Sequence, residues 1–74
     1  MKIIVQDRNM IVDTANADIY LDTDGEHHYV KLFKGKREYV LGKYPERDRA
    51  YAELLTIFDY IRIKKDTYRM TIGY

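Results

Sequence analysis

The sequence predicts an α+β fold: an antiparallel meander of four to five strands packed on one C-terminal helix over about residues 46–63, followed by what can be a short terminal strand. Three observations predict it. Ala50, Leu54, Ile57 and Ile61, flanked by Tyr51 and Phe58, recur at the spacing of one helix face. Upstream, short stretches alternate apolar and polar residues with the period of a strand. Between them stand compact turn signals. The strongest is Thr23-Asp24-Gly25-Glu26, where Asp-Gly supplies the positive φ of a tight hairpin.

Taken in order, Ile3 and Val5 alternate with Lys2, Ile4 and Gln6; Asp7-Arg8-Asn9 reads as a turn and Met10-Ile11-Val12 as the returning strand. Asp13 to Asn16 is polar and loop-like. Ala17 to Asp22 alternates again, with Ile19 and Leu21 on one face and Tyr20 on the other. His28 to Phe33 is the next strand, Lys34-Gly35-Lys36 reverses it, and Arg37 to Leu41 returns. Gly25, Gly35, Gly42 and Gly73 read as isolated turn or strand-end glycines. Pro45, the only proline, suits the first helical turn, where its missing N–H removes no bond. Glu46 and Asp48 lie at the positive end of the dipole, and Arg62, Lys64 and Lys65 at the negative end. Such a helix is about 27 Å long. Beyond it, Tyr68, Met70 and Ile72 alternate with Arg69 and Thr71.

Several strands carry apolar residues on both faces. Val30 and Leu32 share one face while Tyr29, Lys31 and Phe33 share the other, and Ile4 and Tyr20 oppose their own core-facing neighbours. One helix covers one side of a sheet, so a second cover is expected, supplied by further copies in a homodimer or larger ring.

At 74 residues the chain is a single domain, 1–74. A domain this size buries only about 60% of its unfolded surface. With no cysteine, neither disulfides nor thiolate metal sites supplement the core, and a reducing cytoplasm is the expected compartment. No run of about 20 apolar residues and no secretory leader is visible, so no membrane partner is expected. Net charge is +1, but residues 1–30 sum to −4, residues 31–49 to +4 and residues 50–74 to +1. Segregation of this kind favours anion binding or self-association. It supplies too little counterion release for duplex DNA, and no recognition helix is present.

Catalysis is not expected. The chain has no serine and no cysteine, none of its threonines stands in a His–carboxylate setting, and no glycine-rich phosphate loop exists. His27-His28 beside Asp22, Asp24 and Glu26 is the one cluster with metal or acid–base character. Neighbours on a strand diverge, however, and the spacing is not that of a calcium loop, so neither a metal nor a cofactor is expected. A hydrolase built on the two histidines is the least supported function.

Eight tyrosines in so short a chain, several beside Lys or Arg, form the distinctive pattern: Tyr20, Tyr29, Tyr39, Tyr44, Tyr51, Tyr60, Tyr68 and Tyr74 against Arg8, Lys31, Arg37, Lys43, Arg47 and Arg69. Aromatic faces that stack on bases, with cationic groups on phosphates, are the chemistry of nucleotide binding. Tyrosine also serves strands and interfaces, which is the structural alternative. The candidate ligand-binding residues are Arg8 at the first turn, Lys34 and Arg37 around the basic hairpin, Tyr44 and Arg47 at the helix start, and Tyr68 and Arg69 in the tail. Gathered at a subunit junction, they would enclose a pocket that one thin protomer does not.

Gln6-Asp7, Leu41-Gly42-Lys43-Tyr44, Arg49-Ala50, Leu54-Leu55 with Ile57, and Tyr68-Arg69-Met70 together span nearly the whole chain. The pattern resembles a group of small, mostly uncharacterised proteins of Gram-positive bacteria, their phages and prophages. Thr71 stands where that group often has proline. The resemblance brings no catalytic residues. It implies a protein of the host cytoplasm, if phage-encoded, that acts without catalysis. One form is a sponge for a nucleotide-like or phosphorylated signal of host immunity; the alternative is an inhibitor or adaptor that docks on a host protein.

Overall fold

The computed structural model describes residues 1–72, so Gly73 and Tyr74, which figure in the glycine and tyrosine readings above, lie outside the described residues. The chain runs β1 (Lys2–Ile4), β2 (Ile11–Asp13), β3 (Asp18–Asp24), β4 (His27–Lys34), β5 (Arg37–Tyr44), α1 (Arg47–Arg62) and β6 (Thr67–Arg69). This is the expected α+β class. The strands divide, however, into two three-stranded sheets, β2-β1-β6 and β3-β4-β5.

The larger sheet is built by the turn signals. Asp24 pairs with His27 across a Gly25-Glu26 loop, with Gly25 at φ +61°. Lys34 pairs with Arg37 across Gly35-Lys36, and both loop residues hold positive φ (+59° and +66°), as a type I′ turn demands. Between β2 and β3 the chain turns away. Thr14 N–H donates to the Met1 carbonyl, Ala15 N–H to the Asp13 carboxylate, and Asn16 takes φ +58°, so β3 starts a new sheet instead of extending the first hairpin.

The tail strand joins the fold differently from a meander edge. β6 lies parallel to β1, Ile3 opposite Tyr68, and parallel neighbours need a long crossover, here everything from β2 to the end of α1. The two sheets meet at Gln6. Its N–H donates to the Leu41 carbonyl at 2.8 Å, and its amide accepts from Lys43 N–H at 2.9 Å and donates to the Lys43 carbonyl at 3.2 Å. A side-chain amide thus takes the place of one more strand residue.

The helix differs from its predicted bounds by one residue at each end. Pro45 lies ahead of the first turn, not in it: the N-cap is Glu46, in extended conformation, whose carbonyl accepts from Ala50 N–H. At the other end Lys65 N–H reaches Tyr60 O and Lys64 N–H reaches Ile61 O, with Lys64 at φ +61°. This is a Schellman closure with lysine where glycine is commoner. The core-facing stripe is rotated from the predicted one. Ala50, Glu53 and Ile57 are buried and Leu54 and Tyr60 half-buried, whereas Ile61 is exposed. The buried Glu53, a residue type that does not read as a core position, shifts the stripe's centre.

Ile3, Val12, Val30, Leu32, Leu41 and Met70 fill the space between the sheets and α1. The outer face of the larger sheet is less apolar than expected. Lys31 at its centre pairs with Asp22 at 2.6 Å and Glu38 at 3.3 Å, and the Tyr20 hydroxyl donates to Glu38. The lysine stem covers the strand while its head is held between the two carboxylates. Only Phe33 and Val40 remain as exposed large apolar groups of this sheet.

Candidate functional site

A β-bulge shapes one crevice of the surface. Val30 pairs with Gly42 but Lys31 pairs with Val40, so Leu41 and Gly42 both oppose Val30. Both Leu41 and Tyr44 are thereby buried, and Lys43 is turned outward opposite Tyr29. The fold needs glycine at position 42. A Cβ there would lie 2.7 Å from the Tyr44 hydroxyl and 2.8 Å from its ring.

On the outer side of this bulge lies a crevice of about 490 Å³, with Gln6 and Asp7 of the β1–β2 turn on one margin and His27, Tyr29, Lys43 and Pro45 around it. The turn is fixed by Arg8, which holds φ +62°, donates its N–H to Val5 O and its guanidinium to Met70 O at 2.8 Å. Lys31 sits 5.3 Å from the centroid of the Tyr29 ring. The Tyr29 ring, the His27 imidazole and the Lys43 ammonium border one space, with the Asp7 carboxylate as the opposing charge. Tyrosine can stack and lysine can pair with an anion in such a space. Nothing in it is an activated nucleophile. Among the described residues no group of three His, Cys, Asp or Glu side chains is placed to hold a metal. The two histidines are separately engaged: His28 bonds the Thr23 hydroxyl through Nδ1 at 3.0 Å, and His27 lines the crevice.

The predicted site residues do not assemble into one site on this chain. Tyr44 is fully buried; it borders the crevice, but its hydroxyl donates inward to Thr71 O at 2.9 Å. Burial pushes its phenol pKa up to about 12. Tyr68 is also buried and donates to the Glu53 carboxylate at 2.5 Å, with desolvation again raising its pKa. These two rings are structural, a correction to their expected role as ligand stackers. Lys34 donates to Asp13 O, and Arg37, its cross-strand partner, lies over the Tyr39 ring at 5.5 Å. Arg47 lies over the Tyr51 ring at 5.8 Å, and Arg69 is exposed on β6. Tyr29 and Lys43, which belong to the tyrosine–basic pattern but not to the candidate ligand-binding residues, are the pair that the crevice brings together.

Glu53 is the centre of a polar network that the sequence did not announce. Its carboxylate accepts from Tyr68 and from the Thr71 hydroxyl, which in turn accepts from Arg49 at 3.2 Å. Gln6 donates to the Thr71 carbonyl at 3.1 Å. These contacts tie residues 68–72 to β5, α1 and the first turn. A proline at position 71 would remove the hydroxyl on which two of them depend.

A second feature is apolar. Tyr51, Leu55, Phe58 and Ile61 are exposed along α1, and with Ile19 of β3 and Leu54 they line a groove of about 360 Å³. No helix among the described residues is long and apolar enough to cross a membrane. Compared with known families, curated proteins and solved structures, the chain matches none.

Proposed function

We propose that this chain is a non-enzymatic, oligomeric binding protein that sequesters a small phosphorylated or nucleotide-like molecule, of the kind a phage sponge would withdraw from host immunity. The observation that carries the reading is the crevice, where Tyr29 and Lys43 are direct cross-strand partners and His27 stands on the same margin. Tyrosine offers a stacking face, lysine offers positive charge to phosphate, and histidine a ring nitrogen for a hydrogen bond. A thermal-shift screen of mono-, di- and cyclic nucleotides tests it. Ligand at about 100 times its dissociation constant adds about 2.7 kcal/mol, on the order of 10–20 °C in a domain of this size. Tyr29→Ala and Lys43→Ala should each abolish the rise. No shift with any nucleotide or with inorganic phosphate would overturn the reading.

The alternative is a protein-interaction module, an inhibitor or adaptor of a host protein. The observation in its favour is the exposed apolar face of α1. A purified host target that binds the wild-type chain and loses Phe58→Asp would support it.

A further inference from the structure

We propose that the crevice selects a guanine nucleotide, with the Asp7 carboxylate reading the base. The inference deepens the binding reading above and rests on it: Tyr29 and Lys43 supply the affinity, and Asp7 supplies the choice of ligand.

Most of the polar groups around this space are already engaged. The Gln6 side chain accepts from Lys43 N–H and donates to the Lys43 and Thr71 carbonyls, and the Tyr44 hydroxyl donates inward. Lys31, near the Tyr29 ring, is held by Asp22 and Glu38, and the Arg8 guanidinium by the Met70 carbonyl. The polar and aromatic side chains left to meet a ligand are Asp7, His27, Tyr29 and Lys43. Among the described residues Asp7 is the one carboxylate that lines the crevice, and neither it nor Lys43 forms an ion pair. Asp7 is also held in place. It lies in the turn closed by Arg8 N–H on the Val5 carbonyl, and the Gln6 bonds fasten that turn to β5.

An ionised carboxylate only accepts hydrogen bonds. On the margin opposite lysine it repels bare phosphate and favours a ligand that brings donors along with its anion. It also sorts bases. Guanine carries a ring N–H and an exocyclic amine side by side on one edge, so both carboxylate oxygens are satisfied at once, in charge-assisted bonds. Adenine and cytosine set a ring acceptor beside the amine, and uracil flanks its one N–H with carbonyls; each turns a lone pair toward the carboxylate. A bidentate contact of this kind discriminates on the order of ten- to a hundredfold. At about 490 Å³ the crevice is of a size to take one mononucleotide.

Isothermal titration of the wild-type chain with GMP, dGMP, AMP, CMP and UMP reads the choice directly. GMP and dGMP should bind at least about tenfold more tightly than the other three. Asp7→Asn, whose amide offers one donor and one acceptor, should lose that preference and turn it toward AMP, a change that mere loosening of the turn does not produce. Lys43→Ala should weaken all five alike. Equal affinity for the four bases, or a guanine preference that survives Asp7→Asn, overturns the inference and leaves the binding reading standing. So does binding that favours GMP over dGMP as strongly as over AMP, which would place Asp7 on the ribose. Binding of none of the five overturns both.

Discussion

Replacing Gly42 by alanine tests whether the bulge and its buried ring are as tightly coupled as the geometry requires. In most contexts this substitution at a position without positive φ stabilises, by about 0.4–1 kcal/mol, because it restricts the unfolded chain. Here Gly42 has no positive φ, so backbone strain does not enter. The new Cβ would stand 2.7 Å from the Tyr44 hydroxyl and 2.8 Å from Cε2. Tyr44 cannot swing out, since it is fully buried and bonded to Thr71 O. Displacing it loses that bond, about 1 kcal/mol, and adds about 1–3 kcal/mol of overpacking. The net is a loss of about 2–4 kcal/mol, or on the order of 8–30 °C in melting temperature. Urea denaturation of Gly42→Ala should show it at unchanged slope. Made in a Tyr44→Leu background, the same substitution should cost less than about 1 kcal/mol, because the obstructing ring is gone. A Gly42→Ala protein as stable as wild type would refute the reasoning.

Tyr68→Phe removes one of the two hydroxyls bonded to the buried Glu53 carboxylate and should destabilise by about 1.5–3 kcal/mol, measured by urea midpoint; a neutral result would mean that Glu53 does not depend on Tyr68. Stability should also fall at both ends of the pH scale. The hydrogen bond from Lys31 holds the Asp22 carboxyl below its usual range, and those from Tyr20 and then Lys31 do the same for Glu38. Their contribution is present above about pH 4 and lost as pH falls through the lowered values, so Asp22→Asn should flatten the acid limb of a midpoint-versus-pH curve. Tyr44, with its pKa raised by burial to about 12, keeps its proton when folded, whereas the unfolded chain releases it above about pH 10. Stability is therefore full below pH 10 and should decline as pH rises through about 12, with Tyr68 acting in the same direction; a flat curve to pH 12 would refute this.

Local signals in the sequence were sufficient for the hairpins and the helix. Asp24-Gly25 and Gly35-Lys36 needed only the backbone freedom that tight turns demand, and the helix needed only its period. What escaped reading depends on partners distant in sequence. An unbulged β4–β5 ladder would set Lys43 opposite His28 and turn it toward the core; one extra residue at Leu41 sets it opposite Tyr29 instead, and the crevice follows from that slip. Glu53 reads as a solvent position until Tyr68 and Thr71 arrive with their hydroxyls. Tyr44 and Tyr68 look like ligand residues because an aromatic beside a basic residue has the same spelling whether its ring faces solvent or the core. The parallel seat of β6 is likewise invisible, since a three-residue strand carries no record of which neighbour it will choose.

That seat has a consequence for how the protein is made. Ile3 of β1 meets Val12 of β2 early, but its other edge stays open until Tyr68 of β6 has been made. While the ribosome is still elongating, the larger sheet has its three strands but the smaller one has a vacant flank beside β1. The smaller sheet closes only once β6 has been made and seated, and until then that flank is open to chaperones and proteases.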